Sequence, residues 1–383
     1  MKVQNISNCI PSLAAGLMCF SCSVVGARTD DVELLKGLIR IPSVSADVEQ
    51  VNRAVDFARA DFERRGLFCT VETNSVGRRM LWVANVRDRR PDIVFSSHLD
   101  VVPAQSPEQF EPREEDGWLY GRGTADSKCH VVLAARVMED LKGRVSVGAI
   151  IGTDEEMGGS TTREMMDRGF GGGKLAVVAD VLPYTLTTRH KGLADYVIRI
   201  RKEALHQGIR TGPIPNAIVD LMDGYRRLAA KLPEYEDGTW REMFTCMEIG
   251  GERDNAFMRL RVRPTDRKDW SRLERWIGEC FGGEVTCTRK GDPVCVDEGD
   301  PLVTAFLAAM RAKWPDRNCR YLHYNSSTDA RHVQYLGLPM LLLGVETSDM
   351  HARNECVRVE SIDEYAELIE SFLMRRFVLS RRP

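Results

Sequence analysis

Four short runs of apolar residues constrain the fold of this chain more than any other feature of its sequence. Each run is apolar on consecutive positions, as in strands that are buried on both faces of a parallel sheet. Segments with helical periodicity, such as 127–141 and 160–168, separate the runs. The sequence therefore predicts an α/β fold, with a mostly parallel sheet covered by helices on both faces. The four runs are residues 93–95, 147–151, 175–179 and 340–343.

The middle of the chain shows a different order of predicted elements. Apolar patterns indicate strand, helix, strand, strand, helix and strand in succession, which is the order of a ferredoxin-like α+β unit. We expect this unit to be inserted into the α/β domain. The predicted divisions are 1–29 as an N-terminal extension or weak signal peptide, 30–190 and 297–383 as the two parts of the catalytic domain, and 191–296 as the inserted domain.

The charge balance and the length of the apolar runs argue against two classes of function. The 383 residues include 53 Lys and Arg against 56 Asp and Glu, and a nucleic-acid-binding protein would need a basic face. No apolar run reaches the roughly 18–20 residues that span a bilayer. We therefore expect neither a nucleic-acid partner nor a membrane partner.

The cysteines bear on the compartment. They number eleven and are scattered, which is a poor disulfide framework for so long a chain. Reduced thiols in a reducing compartment, and hence a cytoplasmic location, fit this pattern. Residues 12–25 are weakly apolar, however, and Val25-Gly26-Ala27 is an acceptable cleavage site. Export through an N-terminal signal peptide is the alternative.

Histidine and carboxylate side chains follow the apolar runs. The ligand sites of open α/β sheets lie at the carboxyl ends of the strands, so we expect these side chains to converge. Taken singly, each has an ordinary structural explanation, such as a helix N-cap for Asp126. Their joint occurrence argues for a site. They are His98 and Asp100 after the first run, Asp154, Glu155 and Glu156 after the second, Asp180 after the third, His351 and Glu355 after the fourth, and Asp126 just before a helix.

Such a group of side chains calls for a cation. Carboxylates that are packed together raise one another's pKa unless a positive charge lies between them. No obvious cationic partner accompanies them in the sequence, so a bound metal ion is the predicted cation. Nitrogen and oxygen ligands in this mixture suit Zn²⁺, with Co²⁺ or Mn²⁺ as alternatives.

Four motifs in this order resemble the M20 family of metallopeptidases and amidohydrolases. That group includes acetylornithine deacetylase, succinyl-diaminopimelate desuccinylase, carboxypeptidase G2 and the aminoacylases. The resemblance runs from about Asp30 to the C-terminal helix. It implies a zinc-peptidase-like catalytic domain with an inserted ferredoxin-like domain that serves as dimerisation and lid domain. The motifs are His98-Leu99-Asp100-Val101-Val102-Pro103, residues 119–128 (Leu-Tyr-Gly-Arg-Gly-Thr-Ala-Asp-Ser-Lys), residues 154–159 (Asp-Glu-Glu-Met-Gly-Gly) and residues 351–355 (His-Ala-Arg-Asn-Glu).

The resemblance also implies roles for individual residues. Two zinc ions per subunit would share Asp126 as a bridging ligand. Glu155 would be the general base, and Asp100 would orient His98. The first metal ion would be held by His98, Asp126 and Asp180, and the second by Asp126, Glu156 and His351.

Three further residues are implied for the substrate side. In the family, a histidine from the inserted domain of the partner subunit stabilises the reaction's oxyanion, and His206 is the position that matches it. Arg331 and Asn255 match positions that line the substrate pocket. This chain departs from the family pattern where Cys129 replaces a glycine and where Asp180 begins Asp-Val-Leu-Pro in place of Glu-Pro-Thr. These departures leave the branch of the family open.

The expected function is hydrolysis of the amide bond of an N-acyl amino acid or short peptide by a homodimeric di-zinc enzyme. Metal-bound water would be the nucleophile. The alternatives are a dipeptidase or carboxypeptidase of the same family, and a degenerate homologue that binds metal without turnover. The intact Glu155 argues against the last of these.

Overall fold

The computed structural model describes residues 28–203, 214–232 and 240–379. The strands are β1 Phe68–Thr73, β2 Arg79–Ala84, β3 Ile93–His98, β4 Arg113–Glu115, β5 Trp118–Tyr120, β6 Val147–Gly152, β7 Leu175–Ala179, β8 Thr185–His190, β9 Leu193–Arg201, β10 Met243–Gly251, β11 Asn255–Arg263, β12 Glu284–Gly291, β13 Val294–Cys295, β14 Arg320–Tyr324, β15 Met340–Leu343, β16 Thr347–Ser348 and β17 Cys356–Arg358. The helices are α1 Thr29–Ile39, α2 Val48–Arg64, α3 Lys128–Asp140, α4 Ser160–Asp167, α5 Ala217–Ala229, α6 Trp270–Cys280, α7 Pro301–Lys313, α8 Ala330–Val333 and α9 Val359–Leu373.

A large mixed sheet forms the centre of the protein. Its strand order is β1-β2-β6-β3-β7-β15-β8-β13, with β14 also pairing with β8. The four inner strands β6, β3, β7 and β15 are parallel and correspond to the four apolar runs. Every residue of these strands is buried, which explains why the runs are apolar on consecutive positions.

Helices cover this sheet and share one hydrophobic core with it. Helix α3 packs against β3 and β6, while α2 and α4 pack against β2. Helix α2 begins at Val48, because the Asp47 side chain accepts a hydrogen bond from the Gln50 amide and caps the helix. No helix in the described part of the chain is long and apolar enough to cross a membrane.

The inserted unit has its own sheet and its own core. Strands and helices follow in the order β9, α5, β10, β11, α6 and β12, and the four strands pair antiparallel in the order β10-β11-β9-β12. This is the ferredoxin-like arrangement. A small third sheet, β16-β17-β5-β4, carries the first two residues of the 119–128 motif in β5. The predicted fold class is confirmed.

Candidate metal centre and active site

The five predicted metal ligands lie at the carboxyl edge of the parallel strands. His98 is the last residue of β3, which continues for three residues beyond the predicted apolar run because Ser96 and Ser97 maintain the parallel pairing with β6. Asp180 directly follows β7, and Glu156 lies in the turn after β6. Asp126 precedes α3, and His351 lies in the loop after β15. The fold thus brings together residues that are up to 253 positions apart.

Two groups of potential ligands share Asp126. The Nε2 atom of His98 lies 2.8 Å from Asp126 Oδ1 and 3.8 Å from Asp180 Oδ1. The Nε2 atom of His351 lies 2.8 Å from Asp126 Oδ2 and 3.1 Å from Glu156 Oε1. Within each group, the potential ligand atoms lie within 4.8 Å of one another. One carboxylate therefore presents its two oxygens to two neighbouring sites.

The electrostatics of this cluster favour a cation. Burial, together with the nearby Asp126 charge, raises the pKa of Asp180 well above its ordinary value. Burial also raises the pKa of Glu156 to about 7, against the hydrogen bond with His351. Among the described residues, no Lys or Arg forms an ion pair with Asp126, Asp180 or Glu156. Each group offers one imidazole nitrogen and carboxylate oxygens, a donor set that fits Zn²⁺.

Asp100 links the His98 ring to the turn that carries the candidate base. Its backbone oxygen lies 2.9 Å from His98 Nδ1, which directs Nε2 towards the cluster. Its carboxylate accepts hydrogen bonds from the backbone amides of Glu155 (3.1 Å) and Glu156 (3.3 Å), and from Ser45 Oγ (2.6 Å). A single buried carboxylate thus fixes one metal-ligand ring and the position of the adjacent Glu155–Glu156 pair.

Glu155 lies beside the cluster without belonging to either ligand group. Burial raises the pKa of its carboxyl, while the Arg331 guanidinium lowers it. Arg331 Nη2 donates to Glu155 Oε1 at 3.1 Å and to the Glu155 carbonyl at 3.3 Å. The structure therefore places Arg331 against the candidate base, a contact that the sequence did not predict. Its role towards substrate stays a prediction.

Two buried residues hold the ligand loops together, and their pairing was not predicted from the sequence. Glu355 Oε1 accepts hydrogen bonds from the backbone amides of Gly123, Ala125 and Asp126. Arg122 pairs with the Glu355 carboxylate, and its Nη2 donates to the His351 carbonyl at 3.1 Å. Both residues belong to the motifs quoted above. In the sequence, the opposite charges of the two residues were the signal for an ion pair. Only the fold shows that both are buried and face each other.

Lys128, in the same 119–128 motif as Arg122, is another buried charged residue. Its ammonium group donates to the carbonyls of Leu38 at 2.8 Å and Ile41 at 3.0 Å. Burial lowers its pKa to about 7, partly offset by Glu355 and Asp100. Lys128 therefore attaches the first turn of α3, which follows Asp126, to the end of α1.

Of the two residues predicted on the inserted domain, only Asn255 lies in the described part of the chain. Asn255 is the first residue of β11, and its side chain is exposed. Among the described residues, Asn255 forms no hydrogen bond with a proposed metal ligand. His206 lies outside the described residues. Both assignments stay predictions.

Comparisons with known proteins agree with this geometry. The sequence model of the peptidase family M20/M25/M40 matches residues 94–375. A succinyl-diaminopimelate desuccinylase from Caulobacter vibrioides is 26% identical, over 92% of this chain and 97% of its own length. Aminopeptidase PepT from Bacillus cereus has a similar structure, with a TM-score of 0.71 at 19% identity, covering 90% of this chain and 97% of the other. An M20 family metallo-carboxypeptidase from Sulfolobus solfataricus also gives a TM-score of 0.71, at 15% identity, covering 90% and 98%.

Proposed function

Since the chain belongs to the peptidase family M20/M25/M40 and is a metal-dependent amidohydrolase, we propose that it uses two zinc ions to cleave the amide bond of an N-acyl amino acid or short peptide. The observation that carries this proposal is the pair of ligand groups that share Asp126, beside an unshared Glu155. The name of the desuccinylase relative favours the N-acyl amino acid, and the peptidase neighbours favour the peptide.

The proposed ligands divide as the two groups do. One zinc ion would be held by His98, Asp126 and Asp180, and the other by Asp126, Glu156 and His351. When bound, the two ions acidify a water molecule and polarise the carbonyl that it attacks. Cobalt and manganese are the alternatives for the same donor set.

Glu155 would handle the proton. Its carboxylate accepts a proton from the attacking water and returns it to the leaving nitrogen, so that a neutral amine departs. A pKa raised by burial brings this carboxyl nearer to the working pH, where a general base is most effective. Arg331 opposes that shift and fixes the orientation of the carboxylate through its 3.1 Å hydrogen bond.

Arg331 and Arg289 are cations near Glu155, and together with Lys191 they support a substrate with a free carboxylate. Burial lowers the pKa of Arg289, and the Arg331 charge lowers it further. Lys191 is buried at the end of β8, and burial together with Arg263 lowers its pKa to about 8. Among the described residues, neither Lys191 nor Arg289 forms an ion pair with a carboxylate. An anionic group of the substrate would relieve this repulsion.

The surface of the inserted domain supports a homodimer. Strand β10 is an edge strand, which leaves backbone groups free to pair with another chain. Met247 and Ile249 on this strand, and Val219 and Met222 on α5, are large exposed apolar side chains. A second copy of the chain would cover them.

Sedimentation of an Ile249→Asp variant tests the dimer. We expect the wild-type protein to be a dimer and the variant to be a monomer, whereas Val76→Asp, which changes an exposed apolar residue outside the inserted domain, should stay dimeric. A monomeric wild-type protein would contradict the proposal.

Mixing Glu155→Gln with His206→Ala subunits should regenerate activity if His206 acts across the dimer.

Substitution of the candidate base tests the reaction. We expect about two metal ions per chain and chelator-sensitive release of amine from one member of a panel containing N-succinyl-diaminopimelate, N-acetyl-ornithine, N-acetyl-methionine and dipeptides. Glu155→Gln should lower kcat by about 10²–10⁴-fold with the metal content unchanged. Glu49→Gln, at an exposed glutamate of α2, is the matched control. Unchanged turnover in Glu155→Gln would overturn the mechanism, and two metals without any turnover would favour the degenerate homologue.

A further inference from the structure

A buried set of hydroxyl, imidazole and amide groups lies directly behind the metal ligands. Ser97 Oγ and Ser127 Oγ are 2.6 Å apart. Ser127 Oγ lies 3.3 Å from His130 Nδ1, and the Val345 amide donates to His130 Nε2 at 3.3 Å. The side chains of Ser97, Ser127 and His130 are all buried. None of these groups belongs to the proposed ligand set.

The directions of these hydrogen bonds follow from the Val345 amide. This amide can only donate, so the Nε2 atom of His130 is an acceptor and carries no proton. The remaining ring proton is on Nδ1, and Nδ1 donates to Ser127 Oγ. The Ser127 hydroxyl in turn donates to the Ala179 carbonyl at 3.4 Å, and it accepts from Ser97. Burial also lowers the pKa of His130 to about 4, which keeps the ring neutral.

Each member of this network neighbours a proposed metal ligand or the segment that leads to one. Ser97 precedes His98, Ser127 follows Asp126, and Ala179 precedes Asp180. Val345 lies at the start of the loop that leads to His351. The network therefore joins the segment of Ser127 and His130, which lies outside the sheet, to three segments at the ends of the paired strands β3, β7 and β15. Three of the four carry the group formed by His98, Asp126 and Asp180.

We propose that His130 is a positioning residue for the metal centre: through Ser127 and the Val345 amide it fixes the relative positions of the segments that carry His98, Asp126, Asp180 and His351. This inference rests on the proposed metal site. Groups that orient metal ligands commonly affect metal affinity by about 10–100-fold when they are removed. The first group should lose more affinity than the second, because three of its neighbours belong to the network.

Metal affinity of His130 variants tests the proposal. We would titrate Zn²⁺ against a competing chelator, at a temperature where circular dichroism shows each variant to be folded. His130→Leu should weaken zinc binding at the first site, formed by His98, Asp126 and Asp180, by about 10–100-fold. His130→Asn should recover part of this loss, because its amide nitrogen can donate to Ser127 from the place of Nδ1. His130→Gln should recover less, because its amide reaches the place of Nε2.

Asn85 supplies the matched control. Its buried side chain joins the Met138 and Val145 carbonyls and the Val147 amide near the other end of α3. Asn85→Leu should lower the melting temperature yet leave zinc affinity unchanged. Equal losses of affinity in His130→Leu and Asn85→Leu would show a merely structural role and overturn the proposal.

Two measurements on the metal-free protein separate this inference from the proposed function. ¹⁵N NMR should show the Nδ1-protonated tautomer of His130, and amide exchange at Val345 should be faster in His130→Leu than in the wild type. The Nε2-protonated tautomer would overturn the network. If the wild-type chain binds no metal, the proposed function fails and so does the positioning role, while the tautomer still shows whether the network exists.

Discussion

Two buried groups of acidic residues in this protein differ in what neutralises them. The strand-end cluster consists of Asp126, Asp180 and Glu156 with His98 and His351. The helix cluster lies among α1, α2, α3 and α9, and every carboxylate in it contacts a guanidinium. Its members are Asp31, Asp61, Glu139, Asp140 and Asp363 with Arg28, Arg65 and Arg136.

The difference shows how burial can serve two purposes with the same residue types. In the helix cluster, Arg136 bridges Asp31 at 3.1 Å and Asp363 at 2.9 Å, so the protein's own charges compensate one another. In the strand-end cluster, the carboxylates contact only imidazoles among the described residues. Folding therefore brings charges together there that are balanced fully only by an added cation. We therefore expect the first cluster to stabilise the fold and the second to form the proposed metal site at a cost in stability.

Among the substitutions that test the difference between the two clusters, Asp180→Asn should have the largest effect. Losing a ligand of the first group should lower kcat/KM by about 10³-fold, since metal ions contribute several kcal/mol to such reactions. A carboxyl whose pKa is higher in the folded protein than in the unfolded chain destabilises the folded state at pH 7. The metal-free variant should therefore be more stable at pH 7 than the metal-free wild type. Activity assays and urea unfolding in chelator check the two parts. A less stable metal-free variant would show that the strand-end cluster is already neutralised.

Asp31→Asn is the matching change in the helix cluster, and its effect on stability should have the opposite sign. It removes a shared partner of Arg65 and Arg136. Removing one partner from a buried ion-pair network costs about 3 kcal/mol. Urea unfolding would measure this loss, and the metal content should stay that of the wild type. Stability equal to the wild type would remove the distinction between the clusters.

His190→Asn should give the smallest effect on stability. It tests a buried histidine that is neither a proposed metal ligand nor the partner of a carboxylate. Burial lowers its pKa to about 3, and no partner for Nε2 is found among the described residues. Below pH 6.5 the unfolded chain binds a proton that folded His190 does not. The wild type should therefore lose about 1.4 kcal/mol per pH unit relative to His190→Asn between pH 6 and pH 4. Unfolding of both metal-free proteins at several pH values measures this difference, and parallel pH profiles would contradict it.

The sequence predicted most of the fold because its two regions have distinct hydrophobic patterns. Consecutive apolar positions identified β3, β6, β7 and β15, since strands that are buried on both faces have no polar side to reveal. Apolar patterns in the middle of the chain indicated β9 and β11, and along most of both strands buried positions alternate with more exposed ones. The short strands β4, β5, β16 and β17 were not predicted, because two or three residues are too few to show a period.

The sequence predicted which residues belong to the candidate site better than it predicted the contacts between them. Strand ends predicted four of the five proposed ligands, because parallel strands place their carboxyl ends along one edge, while Asp126 precedes a helix. The contact of Arg331 with Glu155, and that of Arg122 with Glu355, joins positions 176 and 233 residues apart in sequence. Local patterns carry no information about such pairs. The predicted roles of Asn255 and His206 depend on an inserted domain and a partner subunit, and both stay predictions.

The sequence by itself determined which residue types reach the edge of the sheet, because hydrophobic runs fix where each strand ends and which side chain follows. Only the tertiary structure decided which of these acidic groups would lack a guanidinium. Asp31 and Asp180 are both buried aspartates, and nothing in their immediate sequence separates a structural ion pair from a metal ligand. The separation arises because α1 and α3 pack so that Asp31 meets Arg65 and Arg136, whereas β7 ends where its neighbours bring only imidazoles and more carboxylates. Charge compensation depends on distances across the fold, and packing sets those distances.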